Sequence, residues 1–318
     1  MSINKTSQSA GFLSPAEPVC PANLIKLAQG TTAPRVAIAR AGAELPMQAA
    51  KAGVEAGIMT PIFVGEAADI QAEAAKLDWD ISEFTVVDAT GEEEAGRKAA
   101  ELCGSGNADV LMKGQLHTDV FMKTALARDA GLRTGARLVH VFHISPPDGG
   151  KPVIVSDAAV NVAPNLETRQ ESIRAVVKML NALGNNDPKV AILSATESPI
   201  PSVPSAVDAR TLQDWAREEF NDLKISGPLA LDLILSPNSA AVKGMTDDPV
   251  AGYADAVITP DIVSGNTLFK ALVYLSGGCA AGLVMGAKTP ILLTSRADPP
   301  AARLASIALA AILAPKRV

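Results

Sequence analysis

The sequence predicts an α/β fold of two domains, each a mostly parallel sheet flanked by helices, with a cleft between them. Three observations predict it. From Arg35 onward, short apolar runs alternate with longer amphipathic ones, the order of βα units that feed a parallel sheet. The 318 residues are about twice the usual domain size of ~150. Hydrophobic residues make up 48% of the chain against 19% charged, enough to bury a sizeable core.

Arg35 to Ala39, Pro61 to Val64, Thr85 to Asp88 and Asp109 to Met112 read as strands. Each is followed by a helical pattern, near Leu45–Gly57, Ala67–Leu77, Glu92–Leu102 and Thr118–Ala130. Gly57, Gly104 and Gly131 stand at the ends of three of these helices, where glycine relieves left-handed strain. Leu138 to Ile144 and Val153 to Val155 are two more strands, separated by the turn-forming SPPDGGKP. Then come helix Leu166–Leu183, strand Val190–Leu193, helix Ser205–Phe220, strand Ala256–Ile258, helix Asn266–Leu275 and strand Gly282–Met285. A last strand, Ile291 to Thr294, leads through SRADPP into an apolar helix near Ala301–Ala314. The expected division is a flexible leader over 1–22, one domain over 23–148 plus 287–318, and a second over 149–286.

Composition excludes several functions. A net charge of −6 and 3% aromatics give neither the basic face nor the stacking rings of a nucleic-acid binder. The longest apolar stretch, Leu304 to Ala314, is far shorter than the ~20 residues of a membrane span, and the N-terminus lacks the apolar core of a secretory signal. Cys20, Cys103 and Cys279 share no CxxC spacing, which argues against disulfides or a thiolate zinc site. A cytoplasmic protein that uses no membrane is expected. GLVMGAKT lacks the glycine a phosphate-binding loop needs before its lysine, and Gly104 with Gly106 lacks the third glycine of a dinucleotide fingerprint. His140 and His143, three apart in a strand, point to opposite faces, so no metal site is expected.

Chemistry gathers where predicted strands end and helices begin. Lys113, Gly114, His117 and Thr118 lie in KGQLHTD, where free helix N–H groups and positive dipole favour an anion. A plain helix cap with a solvated lysine is the alternative. SDAAVNVAPN places Ser156, Asp157, Asn161 and Asn165 in one polar loop, fit for a ligand or for an Asx-rich turn. PDIVSGNTLFK carries Asp261, Gly265, Asn266 and Lys270, with Asn266 either a contact or a cap. Ser295, Arg296 and Asp298 follow the last strand, and the arginine supplies a planar fork for two phosphate oxygens. A surface Arg296–Asp298 pair, worth at most about 1 kcal/mol, is the bland counterpart.

The ordered set ADVLMKGQLHTD, GLRTGARLVHVF, SDAAVNVAPN, VAILSATES, GPLALDLIL, PVAGYADAVITPDIVSGN and ILLTSRAD resembles the phosphate acetyl/butyryltransferase family. It is most similar to the phosphate butyryltransferase-like branch, including the transferase half of enoyl-CoA hydratase fusions. The similarity runs from about Leu24 to Ala314. It implies an architecture related to isocitrate and isopropylmalate dehydrogenases, a homodimer or larger homo-oligomer, and exchange of acyl-CoA plus phosphate with acyl phosphate plus CoA. No cofactor is implied, CoA being a substrate. On that resemblance, Arg296 grips phosphate and Ser295 donates to the developing oxyanion. Lys113 and His117 hold phosphate or protonate the departing sulfur, and Arg133 is a second cation. Thr118, Ser156, Asp157, Asn161, Gly265 and Asn266 are further candidates for substrate binding. The acid that the acetyltransferase branch carries farther along the Ser-Arg loop is Ala302 here, which leaves Asp298 as the nearest acid. Two competing readings are a regulator that binds CoA or acyl phosphate without turnover, and a metal- and NADP-dependent dehydrogenase built on Asp247, Asp248 and Asp255.

Overall fold

The computed structural model describes residues 11–293 and 297–315. In chain order the elements are α1 (Ala22–Gln29), β1 (Arg35–Ala39), α2 (Glu44–Glu55), β2 (Thr60–Gly65), α3 (Ala67–Lys76), β3 (Thr85–Asp88) and α4 (Gly91–Gly104). β4 (Val110–Lys113), α5 (Thr118–Ala125), β5 (Val139–Ser145), β6 (Val153–Ser156), α6 (Leu166–Ala182), β7 (Lys189–Leu193) and α7 (Pro204–Glu219) follow. The rest are β8 (Lys224–Leu229), α8 (Leu231–Leu235), α9 (Pro237–Val242), β9 (Ala256–Ile258), α10 (Ile262–Tyr274), β10 (Cys279–Met285), β11 (Ile291–Leu292) and α11 (Pro300–Leu313). No helix among the described residues is long and apolar enough to cross a membrane.

All the strands join one sheet in the order β3-β2-β1-β4-β11-β10-β5-β6-β9-β7-β8. Pairing is parallel in both flanks and antiparallel only through the centre, where β10 meets β11 and β5, and β5 meets β6. The flanks therefore run in opposite directions. Their register decides where they end. Met112 of β4 pairs with Leu292, Ile291 with Val284 of β10, Leu283 with Val141 of β5, and Val141 with Ser156 of β6. The carboxyl ends of β4 and β6 thus arrive from opposite sides at nearly the same line across β5 and β10.

Successive side chains alternate between faces. Val139, Val141, Leu283 and Met285 enter a core that is continuous along one face, shared with α1, α2, α6, α7 and α11. On the other face the core is split. Val284 belongs to a cluster under α4 and α5, whereas Ile144 and Phe142 belong to a second under α8, α9 and α10. Among the described residues no strand lies beside the outer edge of Cys279–Gly282, and Ser306 of α11 accepts the Gly282 N–H at 3.0 Å.

The sequence expectations need three corrections. The helix expected over 118–130 stops at Ala125, and the chain turns to Gly131 at φ +69°. Gly104 is the last helical residue of α4 rather than a left-handed cap. A Cβ there would overlap the Ala130 carbonyl, and Gly106 takes the positive φ, +80°. The strand Lys224–Leu229 and the helices Ala22–Gln29, Leu231–Leu235 and Pro237–Val242 were not expected at all.

Candidate active site

Lys113 ends β4 with only 9% of its surface exposed. Glycine follows because the chain crosses the end of β1: Gly114 N–H donates to Ala39 O at 2.9 Å, and a Cβ would collide with the Ala39 and Arg40 carbonyls. His117 then takes the N-cap position of α5 with no side-chain cap bond. Its backbone N–H donates to Glu92 Oε2 at 3.0 Å, and its Nδ1 lies 2.9 Å from the same oxygen. Arg40, held at φ +54°, reaches Glu92 at 3.3 Å and Glu66 at 3.4 Å. The His117 backbone N–H, and after it the ring and Arg40, hold the Glu92 carboxyl below the usual carboxylate range. Glu92→Gln keeps the shape and removes the charge that fixes His117. An exposed pair is worth at most about 1 kcal/mol, so turnover is expected to fall roughly fivefold, with circular dichroism unchanged. Unaltered steady-state rates would show that the orientation of His117 does not matter.

The loop after β6 uses its polar groups on itself. Asp157 accepts from the N–H groups of Ala159, Val160 and Asn161 at 2.9, 3.0 and 3.2 Å, and from Asn161 Nδ2. Asn161 also donates to Leu138 O at 2.8 Å, while Ser156 is fully buried. Asn266 is not a cap. Asp261 caps α10 by accepting from Ser264 N, and Asn266, one turn in, donates to Ala158 O at 3.1 Å. Gly265 lies so close to the Asp157 carbonyl that a Cβ would not fit. Asn165 caps α6 through Thr168 N. Asp157, Asn161, Gly265 and Asn266 therefore lock one loop to one helix, and the loop turns Ala159 toward the open space.

That space is a cleft of about 840 Å³ over the break between the two clusters of the split face. Lys113, His117 and Thr118 line one end, and Asp298 and Pro299 enter from the turn before α11. His140 and Phe142 of β5 with Ala280 and Gly282 of β10 form the floor, and Phe269, Lys270 and Val273 of α10 the far wall. Ala302 and Ser306 of α11 fill the gap beside β10, and Leu13, Ser14 and Pro18 lie at the mouth. The size suits a small-molecule site. One end is cationic and the middle is apolar, which can hold an oxyanion beside an uncharged chain. Arg303, buried on α11, donates to Asp298 O at 2.5 Å and fixes the turn.

Five of the candidates, Lys113, His117, Thr118, Lys270 and Asp298, thus share one cleft. Ser295 and Arg296 lie outside the described residues. Arg133 is elsewhere, in a second cavity of about 880 Å³ with Arg137, Arg174, Glu167 and Glu171, which Asn161 also lines. Sequence reasoning missed Glu92, Arg40, His140 and the stacked pair Phe142–Phe269. Arg40 and Glu92 meet His117 only through folding, so no local spacing marks them. His140 and His143 do point to opposite faces, one lining the cleft and the other a small cavity beside α1.

No cluster of metal-ligating side chains occurs among the described residues. Asp248 accepts from Ser226 Oγ and from the N–H groups of Val250 and Ala251, and Asp255 accepts from Lys189 N–H and pairs with Lys151. These are structural duties, which occupy two of the three acids on which a dehydrogenase reading rested. Burial pushes the thiols of Cys103 and Cys279 up to about 12, where neither is a nucleophile at neutral pH.

Residues 92–311 match the family described as phosphate acetyl/butaryl transferase. The chain is 38% identical over 304 residues to the phosphate acetyltransferase of Rhizobium meliloti, covering 95% of this chain and 96% of that one. It is 36% identical over 281 residues to the phosphate butyryltransferase of Clostridium acetobutylicum, covering 88% and 93%. Its fold is similar to the crystal structure of a branched-chain phosphotransacylase from Enterococcus faecalis, with a TM-score of 0.76 and 26% identity over 88% of this chain and 98% of that one.

Proposed function

The chain belongs to the phosphate acetyl/butaryl transferase family, and from that premise we propose that it moves a short acyl group reversibly between CoA and inorganic phosphate. A phosphate oxygen attacks the thioester carbonyl carbon in a ternary complex. The carbon–sulfur bond then breaks, giving acyl phosphate and CoA. The observation that carries this reading is the single cleft in which a buried lysine and a helix N-terminus stand at one end of an apolar floor.

Attack brings a dianion to a carbon whose oxygen is becoming negative, so fixed positive groups contribute most. Lys113 and the N–H groups at the start of α5 are assigned to phosphate. Arg296 is assigned to the same anion and Ser295 to the oxyanion, both on the chemistry of their side chains. A thiol of pKa near 8.5 leaves with little help, so His117 and Asp298 need only accept or deliver a proton near the sulfur. Ala302, where the acetyltransferase branch carries an acid, presents only a methyl to the cleft wall, in keeping with weak demand for a general acid. The reading needs no metal or cofactor. It includes two lobes, 23–148 plus 287–318 and 149–286, a cytoplasmic location, and a homodimer or larger assembly. Three free thiols fit a reducing compartment.

The test is to mix the protein with acetyl-, propionyl- and butyryl-CoA, with and without phosphate, and to follow free thiol. Release that depends on phosphate supports the reading. Tight CoA binding without release from any of the three would make the protein a binding module instead.

A further inference from the structure

His140 stands in the floor of the cleft with 4% of its surface exposed, and among the described residues neither ring nitrogen has a hydrogen-bond partner. A neutral imidazole carries one N–H donor and one acceptor, and leaving both unmet in a buried position is costly. The surroundings keep the ring in place without satisfying it. Its centroid is 4.2 Å from that of Phe142, and Phe142 stacks on Phe269 at 4.0 Å and 11°. Across the strand pair, a Cβ on Gly282 would come within 2.9 Å of His140 Nε2. The missing side chain leaves the space before that nitrogen open, and Gly282 itself lines the cleft.

Resting on the acyl-transfer reading, we propose that His140 is a substrate-contacting residue whose ring N–H donates to the carbonyl oxygen of the acyl thioester. A carbonyl is the group that suits this place. Phosphate carries charge and belongs at the Lys113 end, whereas the floor beside His140 is aromatic and aliphatic. A neutral donor meets an uncharged carbonyl without bringing a second cation into an apolar wall. Burial supports the neutral state, holding the imidazole down to about 4. As the phosphate oxygen forms its bond to carbon, the carbonyl electron pair moves onto oxygen and the hydrogen bond strengthens. When the carbon–sulfur bond breaks, that pair returns and CoA leaves as thiolate. The ring proton stays on His140 throughout.

The experiment measures thiol release and the carbonyl stretch of bound butyryl-CoA labelled with carbon-13 at the carbonyl, recorded without phosphate. In the wild-type protein the band should shift to lower frequency than in an aprotic solvent. His140→Phe should shrink the shift to the part that the Ser295 hydroxyl, assigned to the same oxygen, supplies, and lower kcat by about 100-fold, with KM for phosphate within twofold. His140→Gln, whose amide N–H can still donate, should recover at least tenfold of that loss. Wild-type kcat and an unchanged band in His140→Phe would overturn the assignment. If that variant does not fold, an unshifted band in the wild-type protein overturns it alone. Absence of phosphate-dependent release from the wild-type protein counts against the proposed function, and the band still reports whether the contact exists.

Discussion

Lys113→Met is expected to lower phosphate-dependent thiol release by about 100-fold or more while the protein stays folded. Methionine keeps the unbranched stem, so the packing around the end of β4 survives and only the ammonium is lost. The large effect follows from position. Lys113 is almost wholly buried in the cleft wall, where a charge acts through less water than on the surface and its attraction to a dianion is correspondingly stronger. Held by strand pairing with β1 and a glycine that admits no side chain, the residue has its backbone placed before substrate arrives. That preorganisation is what makes an electrostatic group contribute to the transition state rather than to binding alone. The comparison with Lys113→Arg separates charge from reach, since a guanidinium restores the charge in a wider shape. A loss smaller than about threefold in Lys113→Met, measured at saturating phosphate, would remove this lysine from the anion site.

Much of the fold was legible because most of the flanking strands, the edge strand β3 apart, are buried on both faces and read as continuous apolar runs. Arg35–Ala39, Thr85–Asp88 and Ala256–Ile258 agree with the sequence reading to the residue. β8 was hidden by its Gly227-Pro228. It is the last strand of the sheet, where a proline without an N–H is tolerated. α8 and α9, of five and six residues, are too short to show a helical period. The site divides along the same physical line. Residues after β4 were found because strand ends and helix starts leave a local signature. Asp157 and Asn161 carried the same signature, yet their polar groups close a turn instead of facing the cleft. Residue type cannot tell the two cases apart. His140 was set aside as half of an unworkable metal pair, a correct argument about metal that left open what the ring does in the floor. Its place in the floor comes from the register of several strands that brings oppositely running flanks to one line, and register is not written in any single segment.

Acid should destabilise this protein well before its carboxylates titrate. His140 and His143 are both buried, and desolvation holds each folded-state pKa down to about 4, from 6.5 in the unfolded chain. The neutral forms are therefore favoured by folding. Well above pH 6.5 neither state binds a proton at these rings and their contribution is fully present, and at pH 7 most of it remains. As pH falls below 6.5 the unfolded chain takes up two protons that the folded protein refuses, and the contribution is lost progressively until the folded rings protonate near pH 4. Each ring costs at most about 1.4 kcal/mol per pH unit in that window, so the two together remove about 4 kcal/mol between pH 7 and pH 5. The charged groups near them do not reverse the sign. Asp157 draws the His140 pKa upward by less than burial lowers it, and the Asp255 carboxylate lining the cavity beside His143 is already paired with Lys151. Glu92, held below the usual carboxylate range, stays ionised through most of the window and adds its own loss only below it. Urea unfolding at half-unit steps from pH 7.5 to 5 measures the slope directly. His143→Phe should halve it whatever the variant does to stability at pH 7, because the slope counts protons and not contacts. A stability that stays level down to pH 5 would mean that at least one imidazole has found a partner that lets it carry charge inside the fold.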